Sequence, residues 1–235
     1  MIYNCTNIIQ TVFDKIPQQC LLCHQTTHTG QPLCEHCQAD LPINALHCSC
    51  CSLPLFNEAQ LCGQCQQQLK AYQSSHIPWR YESFMRQLIR KFKFDQDFSS
   101  GRLLIDLYIE TLLKQHVPIP EVIIPVPSHP SRIRKRGINI SLWLAKQIGK
   151  KLTVEVNNQL IEKKRSGIVQ HELDRQQRLK NLQGAFAIKK HADYRHVAVI
   201  DDIVTTGATA DEVSRVLKAN GVEQIQVWAL ARTPL

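Results

Sequence analysis

The pattern of apolar and polar positions changes along the chain between helical and strand periodicity. Leu88, Ile89 and Phe92 have the three- and four-residue spacing of a helix face, whereas the apolar run from Val122 to Val126 is short and unbroken, as in a buried strand. Strands that alternate with helices indicate an α/β fold with a mainly parallel sheet. The pattern predicts helices over 88–92, 103–113, 142–148 and 209–220, and strands over 122–126, 197–200 and 225–230.

Polarity also suggests where the chain divides. Residues 64–75 are polar with helical character, Ile77-Pro78 marks a boundary, and Gly149 is expected to end the third helix. We therefore expect a small N-terminal module over 1–70 and a second domain over 76–235. No apolar run reaches the roughly 18 residues that a membrane span needs.

The N-terminal segment carries a duplicated cysteine pattern. Four cysteines spaced Cys-x2-Cys-x10-Cys-x2-Cys recur with the same spacing 28 positions later. The two sets are Cys20, Cys23, Cys34 and Cys37, and Cys48, Cys51, Cys62 and Cys65. Both sulfurs of a Cys-x2-Cys turn reach one ion, and four thiolates satisfy one Zn²⁺, so the spacing predicts two structural zinc sites in a double zinc ribbon.

A disulfide framework is the alternative interpretation of these cysteines. Nothing before Cys20 resembles a secretory signal, because there is no basic region and polar residues interrupt the apolar ones. A reducing compartment favours metal over disulfides. Cys5 and Cys50 lie outside the repeat and are expected to be spare thiols. A zinc site that takes cysteines from both copies stays possible. The equal 28-residue displacement of every cysteine favours one zinc for each copy.

Basic residues concentrate after the cysteines. The chain has 28 basic and 20 acidic residues, a formal net charge of +8 (28 − 20). Residues 1–75 hold two basic and four acidic side chains and carry −2 (2 − 4), so residues 76–235 carry +10 (8 + 2). Basic clusters lie within 86–93, 132–136 and 163–180. A solvated helix face explains any one of them, but three favour a polyanionic ligand, either a multiply phosphorylated small molecule or a nucleic-acid backbone.

The most specific chemical signal follows the strand predicted over 197–200. Asp201 and Asp202 can accept hydrogen bonds from a sugar diol. The polar run behind them opens a helix, where backbone N–H groups, hydroxyls and the helix dipole all favour a phosphate. The acidic pair suits the hydroxyls of a ribose, and the polar run suits its phosphate, so together they suit a phosphorylated ribose. Open α/β folds bind ligands at this edge of the sheet. The run consists of Thr205, Thr206, Gly207, Ala208 and Thr209.

Local capping is the alternative role for the same residues. The aspartates would cap a turn, and Thr209 with Glu212 would form a capping box at the start of the helix. The order of a buried strand, two carboxylates and the Thr-Thr-Gly-x-Thr run favours ligand binding over capping alone. No Gly-x4-Gly-Lys occurs in the sequence, so an ATP-driven motor is poorly supported.

At these residues the chain resembles the type I phosphoribosyltransferases, whose loop for phosphoribosyl pyrophosphate has this acidic-acidic-x-x-Thr-Gly form. Together with the two zinc ribbons, three further motifs make the chain similar to the ComF family over nearly its whole length from Cys20 onwards. These motifs are Tyr81 through Lys93-Phe94, Pro125-Val-Pro-Ser-His-Pro leading to Arg132-x-Arg-Lys-Arg-Gly-Ile-Asn139, and Gln170 through Arg178-x-x-Asn-Leu-x-Gly-Ala-Phe186.

The resemblance implies a type I phosphoribosyltransferase fold and a set of site residues. Mg²⁺ would accompany phosphoribosyl pyrophosphate, and a flexible lid is expected over 163–181. The implied residues are Asp201 and Asp202 for the ribose hydroxyls and any catalysis, the run from Thr205 to Thr209 for the 5′-phosphate, and Ser128, Arg132 and Arg136 for the pyrophosphate.

The resemblance also implies a role in natural competence, acting on incoming single-stranded DNA in the cytoplasm. Two hypotheses follow. In the first, the chain binds phosphoribosyl pyrophosphate or a related ribose phosphate in DNA uptake, and its zinc ribbons dock a competence protein. In the second, it is an active transferase that salvages a base. Only 6% of the residues are aromatic, which favours the first because a base-selecting pocket commonly uses aromatic side chains.

Overall fold

The structure is a computed structural model that describes residues 18–27, 32–128, 133–134, 137–164, 184–190 and 193–234. Its elements, in chain order, are β1 (Gln18–Gln19), β2 (Thr26–Thr27), α1 (Glu35–Ala39), α2 (Gly63–Gln67), β3 (Ser74–His76), β4 (Trp79–Arg80), α3 (Ser83–Phe94), α4 (Phe98–Lys114), β5 (Val122–Pro125), α5 (Ile140–Leu152), β6 (Glu155–Val156), β7 (Ile161–Lys163), β8 (Phe186–Ile188), β9 (His196–Val204), α6 (Ala208–Ala219) and β10 (Gln224–Arg232).

The chain forms two compact units, one from Met1–Pro42 with Glu82–Leu104 and the other from Ile43–Tyr81 with Ile105–Leu235. The second cysteine set therefore shares a unit with the sheet, and the first set does not. This division differs from the expected one over residues 43–70, which belong to the unit with the sheet, and over residues 82–104, which belong to the first unit. Separate domains over 1–70 and 76–235 stay a prediction. Among the helices that the structure describes, none is long and apolar enough to cross a membrane.

The first unit combines a short hairpin with amphipathic helices. β1 and β2 pair antiparallel, with Gln19 opposite Thr26. Helix α3 buries the apolar face that its sequence spacing predicts, and Phe92 packs edge-on against Phe98 with ring centroids 6.2 Å apart. Its opposite face carries exposed arginines, so the amphipathic pattern was sufficient to predict this helix.

The second unit is built on a parallel sheet whose strands run in the order β3-β10-β9-β5-β6, with β4 also paired to β10. Every described pairing in this sheet is parallel. β9 is the central strand and pairs with β5 through residues 197–200, and these stretches of both strands are buried, which explains their unbroken apolar sequences. The predicted α/β fold with a mainly parallel sheet is confirmed.

Two predicted element ends are wrong, each for a tertiary reason. β9 does not stop at Ile200 but continues to Val204, because β10 supplies parallel partners as far as Arg232 opposite Val204. Gly149 does not end α5, which continues to Leu152 and closes at Thr153 with a left-handed φ of 56°. A Cβ at Gly149 would lie 2.8 Å from the Val154 carbonyl oxygen, so this glycine permits close packing.

The polar stretch 64–75 is only partly helical. Helix α2 ends at Gln67, and residues 74–76 form strand β3 beside β10. Gln73 lies ahead of β3 and exchanges hydrogen bonds with Ile225, so the sheet determines the backbone here despite the polar sequence. β7 and β8 form a separate antiparallel pair. Between them, residues 165–181 of the expected lid lie outside the described residues.

Candidate zinc centres and phosphate-binding site

The structure brings each cysteine set together into a separate four-sulfur cluster. We call Cys20, Cys23, Cys34 and Cys37 the first cluster, and Cys48, Cys51, Cys62 and Cys65 the second. Within each cluster the sulfur atoms all lie within 4.8 Å of one another. Tetrahedral zinc with Zn–S bonds of about 2.3 Å separates its sulfurs by about 3.8 Å. The Cys23–Cys34 and Cys51–Cys62 sulfur pairs are each 3.7 Å apart, so both clusters fit structural zinc.

Backbone geometry prepares one cysteine of each cluster for metal. Burial opposes ionisation of Cys20, but the backbone N–H groups of Cys23, Cys34 and Leu22 outweigh it and lower its pKa to about 6. Cys48 is similar: burial opposes ionisation, yet N–H groups led by that of Cys51 lower its pKa to about 7. A cluster thus offers a thiolate near neutral pH, and a divalent cation would stabilise the others.

Burial and neighbouring thiols act in the opposite direction on the remaining ligands. In the first cluster, burial and then the thiols of Cys34 and Cys23 raise the pKa of Cys37. In the second, burial and the charge of Cys51 raise the pKa of Cys65. Four crowded thiolates repel one another without a cation, which is the electrostatic reason that such a cluster holds metal.

The candidate phosphate-binding loop, residues 205–209, connects β9 to α6. Gly207 caps the helix with a φ of 78°, a conformation that glycine adopts without strain. The Thr206 hydroxyl accepts a hydrogen bond from the backbone N–H of Ala208 at 3.3 Å. The first N–H groups of α6 have no acceptor within the helix and point towards its N-terminal end. The loop and Asp201 line one small pocket.

The two aspartates lie within β9 and differ in surroundings. Asp201 lines the pocket, and its carboxylate accepts a hydrogen bond of 3.0 Å from the hydroxyl of Ser141, in the first turn of α5. The same oxygen accepts the backbone N–H of Asp202 at 2.9 Å. Asp202 accepts the N–H of Ile203 at 2.7 Å and is not among the lining residues. Adjacent strand residues face opposite sides, which separates the pair.

The turn expected to hold pyrophosphate begins beside the acidic pair. Val126 donates its N–H to the carbonyl of Ile200 at 2.9 Å, so the carboxyl end of β5 lies beside the residue of β9 that precedes Asp201. Ser128 follows β5 and donates to the side-chain oxygen of Asn139 at 3.1 Å. Asn139 in turn caps α5. Arg132 and Arg136, the expected cationic partners, lie outside the described residues.

Sequence reasoning missed Ser141 as a partner of the acidic pair. Its side chain is buried, 3% exposed, among the apolar residues of α5. A buried hydroxyl in an otherwise apolar helix face was the available signal, because such a group requires a hydrogen-bond partner. Identifying Asp201 as that partner required the packing of α5 on β9.

The first basic cluster lies along α3. Arg86 and Arg90 are exposed on this helix and, with Lys91 and Asp95, line a groove. The guanidinium of Arg90 lies 5.7 Å from the ring centre of Phe94. Of the second basic cluster the structure describes only Arg134, and of the third only Lys163 and Lys164. The groove on α3 is therefore the basic surface that the described residues define most fully.

Comparison with known proteins identifies relatives along most of the chain. Residues 10–66 match the family model described as a double zinc ribbon domain, which confirms the predicted ribbons. Among solved structures, a UMP synthase of Leishmania donovani has a TM-score of 0.37 at 20% identity, and the match covers 61% of this chain and 24% of that one.

Two curated relatives match nearly end to end. The DNA utilization protein YhgH of Shigella flexneri is 29% identical over 223 residues, which are 93% of this chain and 98% of that protein. Competence protein F of Haemophilus influenzae is 33% identical over 222 residues, which are 91% of this chain and 96% of the relative. The chain belongs to the competence protein F (ComF) family.

Proposed function

We propose that this protein binds phosphoribosyl pyrophosphate, or a related ribose phosphate, and acts on single-stranded DNA during its uptake or use. The observation that carries the first part is the pocket that Asp201 and the 205–209 loop line together. A carboxylate and a phosphate-binding loop within one pocket suit the diol and the 5′-phosphate of a ribose.

The loop supplies the phosphate half of the proposed site. Its threonine hydroxyls and the N–H groups at the start of α6 are donors for phosphate oxygens, and the positive end of the helix dipole favours a dianion. Gly207 takes a positive φ where a side chain would be strained. A branched side chain at this position would therefore distort the loop that presents the N–H groups to the phosphate.

The acidic pair supplies the ribose half. Ser141 holds Asp201 in place from α5, so its carboxylate is oriented before a ligand arrives. Carboxylate oxygens accept hydrogen bonds from sugar hydroxyls and are suitable Mg²⁺ ligands. Asp201, which lines the pocket, would hold the Mg²⁺ that enters with the pyrophosphate and neutralises part of its charge. Asp202 faces the other side of β9 and stays a predicted ligand of the ribose hydroxyls. The turn at Ser128 follows β5, whose last residue pairs with Ile200 just before Asp201, and would receive the pyrophosphate.

The DNA part of the proposal is supported by the relatives and by charge. The related proteins are named for competence and for DNA utilization. Arg86, Arg90 and Lys91 line the groove on α3 together with Asp95, and its excess of positive charge suits a phosphodiester backbone without reading the bases. We assign α3 as part of the DNA-binding surface.

Ligand binding can be tested by thermal unfolding with phosphoribosyl pyrophosphate and Mg²⁺. A ligand at about 100 times its Kd stabilises the native state by about 2.7 kcal/mol, which unfolding curves resolve. We expect Asp201→Asn, Asp202→Asn and Gly207→Val to lose this stabilisation and Asp106→Asn to keep it. Asp106 pairs with Lys151 on the surface and does not line the pocket, so it is a matched carboxylate control.

Two outcomes of this test would contradict the proposal. If the parent protein unfolds at the same temperature with and without phosphoribosyl pyrophosphate, it does not bind this ligand. If Asp201→Asn is stabilised by the ligand as much as the parent is, the pocket at Asp201 is not the binding site. The same samples, incubated with a panel of bases, report on the transferase alternative. Release of pyrophosphate with one base would identify an active base-salvage enzyme.

A further inference from the structure

The guanidinium of Arg232 lies buried at the end of β10, inside the second unit. The residue is only 2% exposed, and its partner in the sheet is Val204, the last residue of β9. A buried cation requires hydrogen-bond acceptors and compensating charge. The acceptors come from backbone segments that are far apart in the sequence.

Arg232 joins the second cluster directly to the phosphate-binding loop. Its Nε donates to the carbonyl of Cys51, a metal ligand, at 3.1 Å. Its Nη1 donates to the carbonyl of Val204 at 3.1 Å and to that of Thr205, where the loop begins. One planar group therefore fixes the cluster and the loop entry relative to each other.

Charge favours the same arrangement. Four thiolates around one Zn²⁺ carry a net charge of −2 (2 − 4). Burial lowers the pKa of Arg232, and negative charge on Cys51 and Cys62 acts against this shift. A cluster loaded with zinc would therefore place negative charge beside the buried guanidinium.

A second link runs from the segment that follows the cluster. Tyr72 is buried, and a Cβ built on Gly207 would lie 3.5 Å from its hydroxyl oxygen. Next to it, the backbone N–H of Ala71 donates to the carboxylate of Asp211, in the first turn of α6, at 2.8 Å. The hydrogen bond to Asp211 therefore ties the segment after the cluster to the first turn of α6, and Tyr72 lies beside the glycine that begins that helix.

We propose that Arg232 is a positioning residue through which zinc at the second cluster holds the phosphate-binding loop in its ligand-binding shape. Zinc at this cluster and ligand at the loop are then thermodynamically coupled, and the coupling is reciprocal. The first cluster carries no part of it. The ligand half of the coupling rests on the proposed function, whereas the effect of Arg232 on the loop does not.

The primary test compares hydrogen exchange in the parent, Arg232→Gln and Arg195→Gln. Arg195 is an exposed arginine just before β9 and serves as the matched control. We expect amides of residues 205–210 to exchange at least tenfold faster in Arg232→Gln, with little change in β5 or in residues 18–27. The Arg195→Gln protein should match the parent. An exchange rate at 205–210 within twofold of the parent would overturn the proposal.

Arg232→Lys keeps the test decisive if the glutamine variant does not fold. Lysine retains the positive charge beside the cluster but cannot donate in two directions as the guanidinium fork does. We expect this variant to retain two zinc ions, exchange residues 205–210 at least fivefold faster, and bind phosphoribosyl pyrophosphate at least fivefold more weakly. Parent-like exchange in the folded lysine variant would also overturn the proposal.

Zinc release measures the coupling itself. Chelator extracts the metal with or without phosphoribosyl pyrophosphate and Mg²⁺, and alkylation of the freed cysteines identifies the cluster that lost it. We expect the ligand to slow release from the second cluster at least fivefold in the parent, but not from the first. The coupling would be refuted if the ligand slowed zinc release equally from both clusters. It would also be refuted if the ligand bound but did not slow zinc release from the second cluster. If the parent binds no ligand, the proposed function fails, and the exchange experiment still decides the role of Arg232.

Discussion

The two cysteine clusters have the same ligand spacing in sequence, yet each lies in different surroundings. In the first cluster Cys23 is exposed and Cys34 is half-buried, whereas all four cysteines of the second are buried and belong to the hydrophobic core of the sheet. Metal binding depends on the four sulfurs, which the repeat provides twice. What each metal supports depends on the elements packed around it.

Each ribbon accepts a hydrogen bond from one basic side chain, and the two side chains also differ in their surroundings. In the first unit, the half-buried Lys91 of α3 donates to the carbonyl of Leu21 at 2.8 Å. In the second, the buried Arg232 donates to the carbonyl of Cys51 and also to the entry of the phosphate-binding loop. A lysine contact of this kind anchors a ribbon. The arginine contacts extend from the ribbon to a candidate ligand site.

The largest test of this comparison removes one ligand from equivalent positions of the repeat. Structural zinc contributes about 10–16 kcal/mol in zinc-finger peptides, which is as large as the whole stability of a typical domain. We therefore expect Cys62→Ser to unfold the second unit, detected as loss of exchange protection in β9 and β10. Cys34→Ser should lose one zinc and leave that protection in place. Equal loss of protection in both variants would contradict the distinction.

A smaller effect is expected from the link at Asp211. Asp211→Ala leaves the N–H of Ala71 without its acceptor and should destabilise the second unit by about 1–3 kcal/mol. Asp211→Asn keeps an oxygen of the same shape and should cost less than about 1 kcal/mol, since the ion pairs with Lys70 and Arg215 are partly exposed. Denaturant unfolding measures both. An alanine variant as stable as the parent would show that this contact does not support α6.

The smallest effect concerns the exposed cations of the first unit. Replacing both Arg86 and Arg90 by glutamine should weaken single-stranded DNA binding at low salt and reduce the slope of log affinity against log salt by about 1.4, since each phosphate contact contributes about 0.7. The control replaces Lys189 and Lys190, two exposed residues that follow β8, and should change the slope less. Fluorescence anisotropy across a salt series measures both. An unchanged slope in the arginine variant would remove α3 from the DNA surface.

Local sequence was sufficient where local physics determines structure. The apolar spacing within α3 predicts its buried face, and the apolar runs 122–126 and 197–200 predict buried strands. The repeated cysteine spacing predicts the two ligand sets. The Thr-Thr-Gly run likewise placed the start of α6 within one residue, because a glycine with a positive φ interrupts the strand-to-helix turn.

The supports of the candidate site could not be predicted in the same way. Arg232 and Cys51 are 181 residues apart, and nothing near either residue indicates that they meet. Ser141 and Asp201 are 60 residues apart. The polar sequence of residues 73–75 resembles a loop or helix, and only pairing with β10 makes it part of the sheet. These features depend on packing between segments that are distant in the sequence, and local residue patterns do not predict such contacts.

The position of β10 between β3 and β9 has a consequence for how the protein is made. β3 follows the second ribbon directly, but its partner is the last strand of the described chain, and Gln73 and Ile225 are 152 residues apart. A ribosome therefore completes the second ribbon and β3 long before it makes β10, the strand that pairs with β3. Such long-range parallel pairing forms late in folding. During synthesis the newly made ribbon can already bind metal, whereas Arg232 joins it only when translation has reached β10.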